Sequence, residues 1–118
     1  MPLQHALFDL CQQHQLTFIL ATNDEGMIMA EAGETPTDSF AAYTPMAVET
    51  SRIMAKNGDF GDPICNALIL SGGRILIMYQ TFVAGRIIYL SLLCQKVPVG
   101  LKGVLENIAA VISKALGE

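Results

Sequence analysis

The stretch from Asn66 to Gln95 holds three apolar runs separated by two short breaks. The runs are Leu68–Leu70, Ile75–Tyr79 and Ile87–Cys94, rich in the β-branched and aromatic residues that favour strands. The breaks are Ser71-Gly72-Gly73-Arg74 and Val83-Ala84-Gly85-Arg86. Glycine accepts the positive φ of a tight hairpin, so the three runs are expected to pair antiparallel. None of them alternates between apolar and polar: Ile75 to Met78 are consecutive, as are Ile87 to Leu90. Neighbouring strand residues point to opposite faces, so this meander needs cover on both sides.

The rest of the chain supplies it. Leu3, Ala6, Leu7, Leu10 and Cys11 fall at helical spacing and predict a helix over Leu3–Gln13, with Pro2 suited to its first turn. Leu16–Ala21 and Met27–Ala30 read as strands joined at the turn Asn23-Asp24-Glu25-Gly26. Thr37 or Asp38 is placed to cap a long middle helix running to about Lys56. One stripe of that helix is Phe40, Tyr43, Ala47, Thr50 or Ser51, and Met54; Met46 and Ile53 form an adjacent stripe. Pro45 lies inside it and is expected to kink it; the alternative is a fresh start capped by Thr44. Asn57-Gly58 ends the helix and Asp59–Pro63 forms a loop. After Pro98, the spacing of Leu101, Val104, Leu105, Ile108, Val111, Ile112, Ala115 and Leu116 predicts a last amphipathic helix. The order α-β-β-α-β-β-β-α points to an α/β (α+β) fold in three layers. The middle helix would lie on one face of a five-stranded antiparallel sheet and the terminal helices on the other.

Composition narrows the functional classes. A chain of 118 residues is expected to be one domain, 1–118. Net charge is −4 and the seven Lys and Arg are scattered, so the basic stripe required by nucleic acid is missing. No apolar run approaches the ~20 residues of a membrane span. The opening MPLQHALFDL has no cationic region of the secretory type. Cys11, Cys65 and Cys94 are odd in number and widely spaced, as expected of buried, reduced thiols in a cytoplasmic protein. With 52% hydrophobic residues, some apolar surface is expected to be covered by another subunit.

Candidate chemistry is thin. Ser71-Gly72-Gly73-Arg74 lacks the spacing and lysine of a phosphate loop and reads as a hairpin turn; Ser71 has no elbow motif or assignable base. Cys11, His14, Cys65 and Cys94 could count to four zinc ligands, but no C-x-x-C pair is present and each cysteine sits in apolar context. His14 is expected to meet the carbonyls ending the first helix, and His5 to lie on its surface. Asp24, Glu25, Glu31 and Glu34, and later Asp59 and Asp62, read as solvated turns rather than acid–base pairs or a cation site. Met27, Met29 and Met78 are expected to fill the core. No catalytic residue, cofactor site or metal site is expected, and the chain does not read as an enzyme.

The element order, together with LTFILATNDEGMIMAEAG, the long middle helix, NALILSGGRILIMYQTFVAGRIIYLSLLCQ and VGLKGVLENIAAVI, resembles the Roadblock family over nearly the whole length. That family is named for the dynein light chain and has bacterial and archaeal members. Asp24 and Gly26 match its D-x-x-G-like turn, Gly85 and Arg86 the pair before the fifth strand, and Gly100 the glycine opening the last helix. Pro45 and the short, weakly charged first helix depart from the pattern. The resemblance implies sheet order 2-1-5-4-3 and a homodimer joined along strand three and the middle helix. It also implies a non-enzymatic regulator or scaffold that docks on a Ras-like small GTPase and, in some members, stimulates GTP hydrolysis as a GTPase-activating protein.

One part of this is supported by the residues alone. Asn66–Ser71 would be an edge strand without lysine, internal proline or charge, and a bare apolar edge is a liability unless something pairs with it. Pairing with its own symmetry mate would remove that edge, and Met46 and Ile53 would then face the partner's middle helix. The expected interface is Met46, Thr50, Ile53, Asn66, Leu68 and Leu70; the alternative is that the loop Asp59–Pro63 covers the edge. Arg74 and Arg86, each just past a glycine turn, are the candidates for contact with a partner's phosphates. The rival reading is a small-molecule sensor of the PAS or profilin-like kind, with a ligand between sheet and helix. Such a pocket needs convergent polar groups, and the core strands offer only Thr17, Ser91 and Tyr89.

Overall fold

The computed structural model describes residues 3–116, so Pro2 lies outside the described residues. The elements in chain order are α1 (Leu3–His14), β1 (Leu16–Asn23), β2 (Ile28–Gly33), a 3-10 turn (Asp38–Ala42) and α2 (Tyr43–Gly58). They continue with β3 (Asn66–Ile69), β4 (Ile75–Val83), β5 (Arg86–Cys94) and α3 (Leu101–Ala115). The five strands form one antiparallel sheet in the order β2-β1-β5-β4-β3.

Turn chemistry sets the hairpins. β4 and β5 close at Val83 opposite Arg86, with Ala84 and Gly85 both at positive φ (54° and 76°) as a two-residue turn of the strand twist requires. At the β3–β4 turn Gly73 sits at φ 89°, and Leu70 N–H donates to the Arg74 carbonyl at 2.8 Å. In the β1–β2 turn the Asn23 side-chain oxygen accepts from the amides of Glu25 and Met27, each at 2.9 Å, in place of backbone partners.

The two-sided apolarity is satisfied by three layers. Ile19, Ala21, Ile77, Ile88, Leu90 and Leu92 face α1 and α3, whose Leu7, Leu10, Leu105, Ile108 and Ile112 complete that core. The opposite face packs Phe18, Leu20 and Leu93 with Ala41, and Met78 and Tyr89 with Val48 of α2. Gly33, at φ 87°, lies so close to β1 that a Cβ there would run into the Thr17 carbonyl oxygen.

The middle helix departs from expectation. It begins at Tyr43, after the 3-10 turn, and no kink is needed, because Pro45 is the third residue of α2. Amides in the first turn of a helix have no partner within it, so a proline there removes nothing. Thr37 makes no capping bond; its hydroxyl lies 3.1 Å from that of Ser39. The buried stripe is Ala41, Thr44 and Val48, one residue out of phase with the predicted one, and Tyr43 and Met54 are exposed. A 3-10 turn has about three residues per turn rather than 3.6, which shifts the phase of the helix beyond it. β3 is also shorter than expected, because Leu70 and Ser71 belong to the turn. Met29 packs against the core and Met78 is buried, but Met27 is exposed.

Candidate protein-interaction surface

The two margins of the sheet differ. β2 carries Glu31 and its pairing with β1 is interrupted by a bulge at Ala21/Thr22, both of which discourage further pairing. β3 carries no charge, and its only ladder among the described residues is with β4. Beside it α2 presents Tyr43 and Met46 (each 61% exposed), with Ile53 and Met54 further along, and Leu68 of β3 is 50% exposed. A groove of about 390 Å³ runs between α2 and β3, lined by Tyr43, Met46, Thr50, Asn66, Leu68 and Met78. Asn66 ties the two elements together: its side-chain amide donates to the Ala47 carbonyl at 2.8 Å.

Four of the six residues expected at an interface therefore share one groove: Met46, Thr50, Asn66 and Leu68. Ile53 stands further along α2 and lines a neighbouring cleft. Leu70 is set apart. It lies past the end of β3 and packs partly buried against the cluster of Phe18, Leu20, Ala41 and Leu93. Sequence reasoning placed Tyr43 in the stripe beside that of Met46 and Ile53 and did not name it at the groove; the 3-10 turn before it has no clear signature in Asp38-Ser39-Phe40-Ala41-Ala42. The loop Asp59–Pro63 is exposed and walls the neighbouring cleft, without forming a ladder along β3.

Arg74 and Arg86 are exposed at opposite ends of β4, roughly 30 Å apart at the rise of an extended strand. They could not reach one phosphate group together. Inside the molecule, the Thr44 and Ser91 hydroxyls are buried 2.7 Å apart and share one mutual hydrogen bond between sheet and helix. Tyr89 is buried, and its hydroxyl is pushed up by burial and by the charges of Glu49 and Asp24, against a smaller opposing effect of Arg52. Arg52 in turn donates to the Gln80 side-chain oxygen at 2.7 Å.

Burial holds the thiols in their protonated form, Cys11 and Cys94 inside the core and Cys65 half-buried at the cleft beside α2. Burial pushes Cys11 up to about 11, against a smaller opposing effect of a backbone hydrogen bond at Ile19. Burial also raises Cys65 and Cys94, and the Cys94 thiol donates to the Ile75 carbonyl at 3.6 Å. All three are free of disulfides. Among the described residues no three His, Cys, Asp or Glu side chains converge as a metal site. His14 Nε2 is buried without a hydrogen-bond partner there, so that nitrogen does not meet the helix carbonyls as expected. No helix among the described residues is long and apolar enough to cross a membrane.

No family model matches the sequence, and no curated protein matches it. Solved structures do. The chain is similar to a Roadblock/LC7 domain from Streptomyces avermitilis, at 19% identity over 100% of both chains with a TM-score of 0.76. It is similar to MglB of Myxococcus xanthus at 16% identity, covering 97% of this chain and 94% of that one, with a TM-score of 0.72. A third likeness is to the gliding protein MglB of Thermus thermophilus, at 14% identity over 98% of this chain and 90% of that one, with a TM-score of 0.71. With its sheet in the order β2-β1-β5-β4-β3 between one helix and two, and with this likeness over nearly its full length, the chain folds as a Roadblock-type domain.

Proposed function

We propose that this chain is a single-domain, homodimeric regulatory or scaffold protein of the cytoplasm. Its partner is a Ras-like small GTPase, and it performs no chemistry of its own. The observation that carries the reading is the uncharged β3 margin lying beside the exposed apolar face of α2. Antiparallel pairing of β3 with its symmetry mate would continue the sheet across a two-fold axis and bring the two α2 faces together. Met46, Thr50, Ile53, Asn66 and Leu68 would lie in that interface; Leu70 would support it from within.

The GTPase reading rests on the family resemblance. Its test is binding to a small GTPase encoded beside this chain, loaded with GTP or with GDP, and then single-turnover hydrolysis with and without the protein. Nucleotide-dependent binding supports docking, and faster hydrolysis would add stimulation to it. Failure to bind such a GTPase in either state would overturn the partner assignment.

A further inference from the structure

The outer margin of β4 is only half used. β4 runs Ile75–Val83, yet β3 pairs only with Ile75 to Met78. Continuing that register would set Ile64 opposite Gln80 and Asp62 opposite Phe82. The chain leaves the sheet instead. Pro63, due opposite Thr81, has no amide to donate, and Gly61 turns at φ 96°.

The flanking hairpins identify the backbone groups left over. In an antiparallel ladder successive residues turn their N–H and C=O to alternate sides. The bond from Leu70 to the Arg74 carbonyl directs Arg74, Leu76, Met78, Gln80 and Phe82 toward the β3 side. The two-residue turn at Val83 and Arg86 independently directs the odd-numbered residues of β4 toward β5. The amides and carbonyls of Gln80 and Phe82 thus face a position that no strand among the described residues fills.

That position is a cleft of about 760 Å³. Its floor includes Gln80 and Phe82, one wall is the second half of α2, and the other is the loop 59–65. Phe82 is 66% exposed, and Ile53 and Ile64 stand exposed on either wall. Arg52 and Lys56, one turn apart, put two cations on the α2 wall; Asp59 and Asp62 put two carboxylates on the loop side.

We propose that this cleft takes an extended segment of a partner protein, added as a strand along Gln80–Phe82. Backbone donors and acceptors repeating every second residue call for another backbone, and the free length accepts about five residues. Side chains facing α2 would be apolar beside Ile53 and Phe82 and acidic beside Arg52 and Lys56. The carboxylates on the loop side oppose the reverse placement. The cleft adjoins the β3 margin and shares Ile53 and Asn66 with the proposed dimer interface, but the backbone groups it offers lie on β4 beyond the end of β3, so the proposal does not rest on the GTPase reading.

The test is a titration of the full chain, monitored through its backbone amide resonances, with the capped peptide acetyl-Val-Ser-Glu-Thr-Val-Thr-Val-amide. Expected are saturable shifts of the Gln80 and Phe82 amides below about 1 mM peptide. Methylating the peptide's alternate amides distinguishes strand addition from adhesion: one alternate set should weaken binding at least about tenfold and the other should not. Lys56→Glu, or lysine for the peptide's glutamate, should weaken it about threefold or more. Three results would each overturn the proposal: no saturable shift, equal effects of both methylation patterns, or the same amides shifting with protein concentration alone. The last would make the occupant a second copy of this chain.

Discussion

The hydroxyls of Thr44 on α2 and Ser91 on β5 meet at 2.7 Å in a buried position, the one side-chain bond that joins the middle helix to the centre of the sheet among the described residues. Each is the other's only side-chain partner among the described residues. Thr44→Val would leave the Ser91 hydroxyl buried and alone, at a cost of about 1–3 kcal/mol, and Ser91→Ala would do the converse. The double variant removes both polar groups and should be no less stable than either single one. Urea unfolding of all four proteins measures the coupling; strictly additive losses would contradict it.

Thr22 offers the opposite case. It is 1% exposed and its hydroxyl has no hydrogen-bond partner among the described residues. Thr22→Val keeps the shape and removes an unsatisfied group, so stability should hold or rise by up to about 1 kcal/mol. A loss of more than that in the same urea assay would show that the hydroxyl has a partner.

Gly33, the last residue of β2, has no room for a side chain. Its φ of 87° is unfavourable for any side chain, and a Cβ would meet the backbone of Thr17 and Phe18 rather than a movable side chain. Gly33→Ala is expected to cost about 3 kcal/mol or more. Gly85→Ala, at φ 76° but with nothing near its Cβ, should cost distinctly less. Equal losses in thermal melts would mean that the crowding at β1 is relieved.

The thiols set an alkaline limit. Cys11 keeps its proton up to about 11 in the folded chain, whereas the unfolded chain loses it near 9.0. The contribution of this thiol to stability is therefore complete below pH 9 and is lost as pH rises toward 11. Cys65 and Cys94 are shifted in the same direction. Melting temperature measured from pH 8 to 11 should decline above 9, and iodoacetamide at pH 8 should modify Cys11 only in denaturant. Rapid labelling of the native protein would contradict this burial.

Much of the architecture was legible because its cause is local. The runs Ile75–Tyr79 and Ile87–Cys94, split by glycine turns, dictate a meander covered on both faces, and three layers are the solution found. The sheet order came through the family resemblance, not through periodicity. What misled was the stretch before Pro45. A 3-10 turn and an α-helix share their apolar spacing over so few residues, and only the partner of Thr44, distant in sequence, decides which way the helix faces. Leu70 reads as strand by composition, but the Gly73 turn claims it. The unpaired half of β4 was not visible either, since it depends on where β3 stops, and Pro63 takes effect only once the register is known.

The central claim is that the β3 margin and the α2 face are completed by a second copy, and sedimentation velocity at micromolar concentration tests it most directly. The account predicts a species of twice the 12.7 kDa chain, reduced to the single chain or to aggregate by Leu68→Lys. A native protein that sediments at 12.7 kDa throughout, or a Leu68→Lys variant that remains an unchanged dimer, would contradict it.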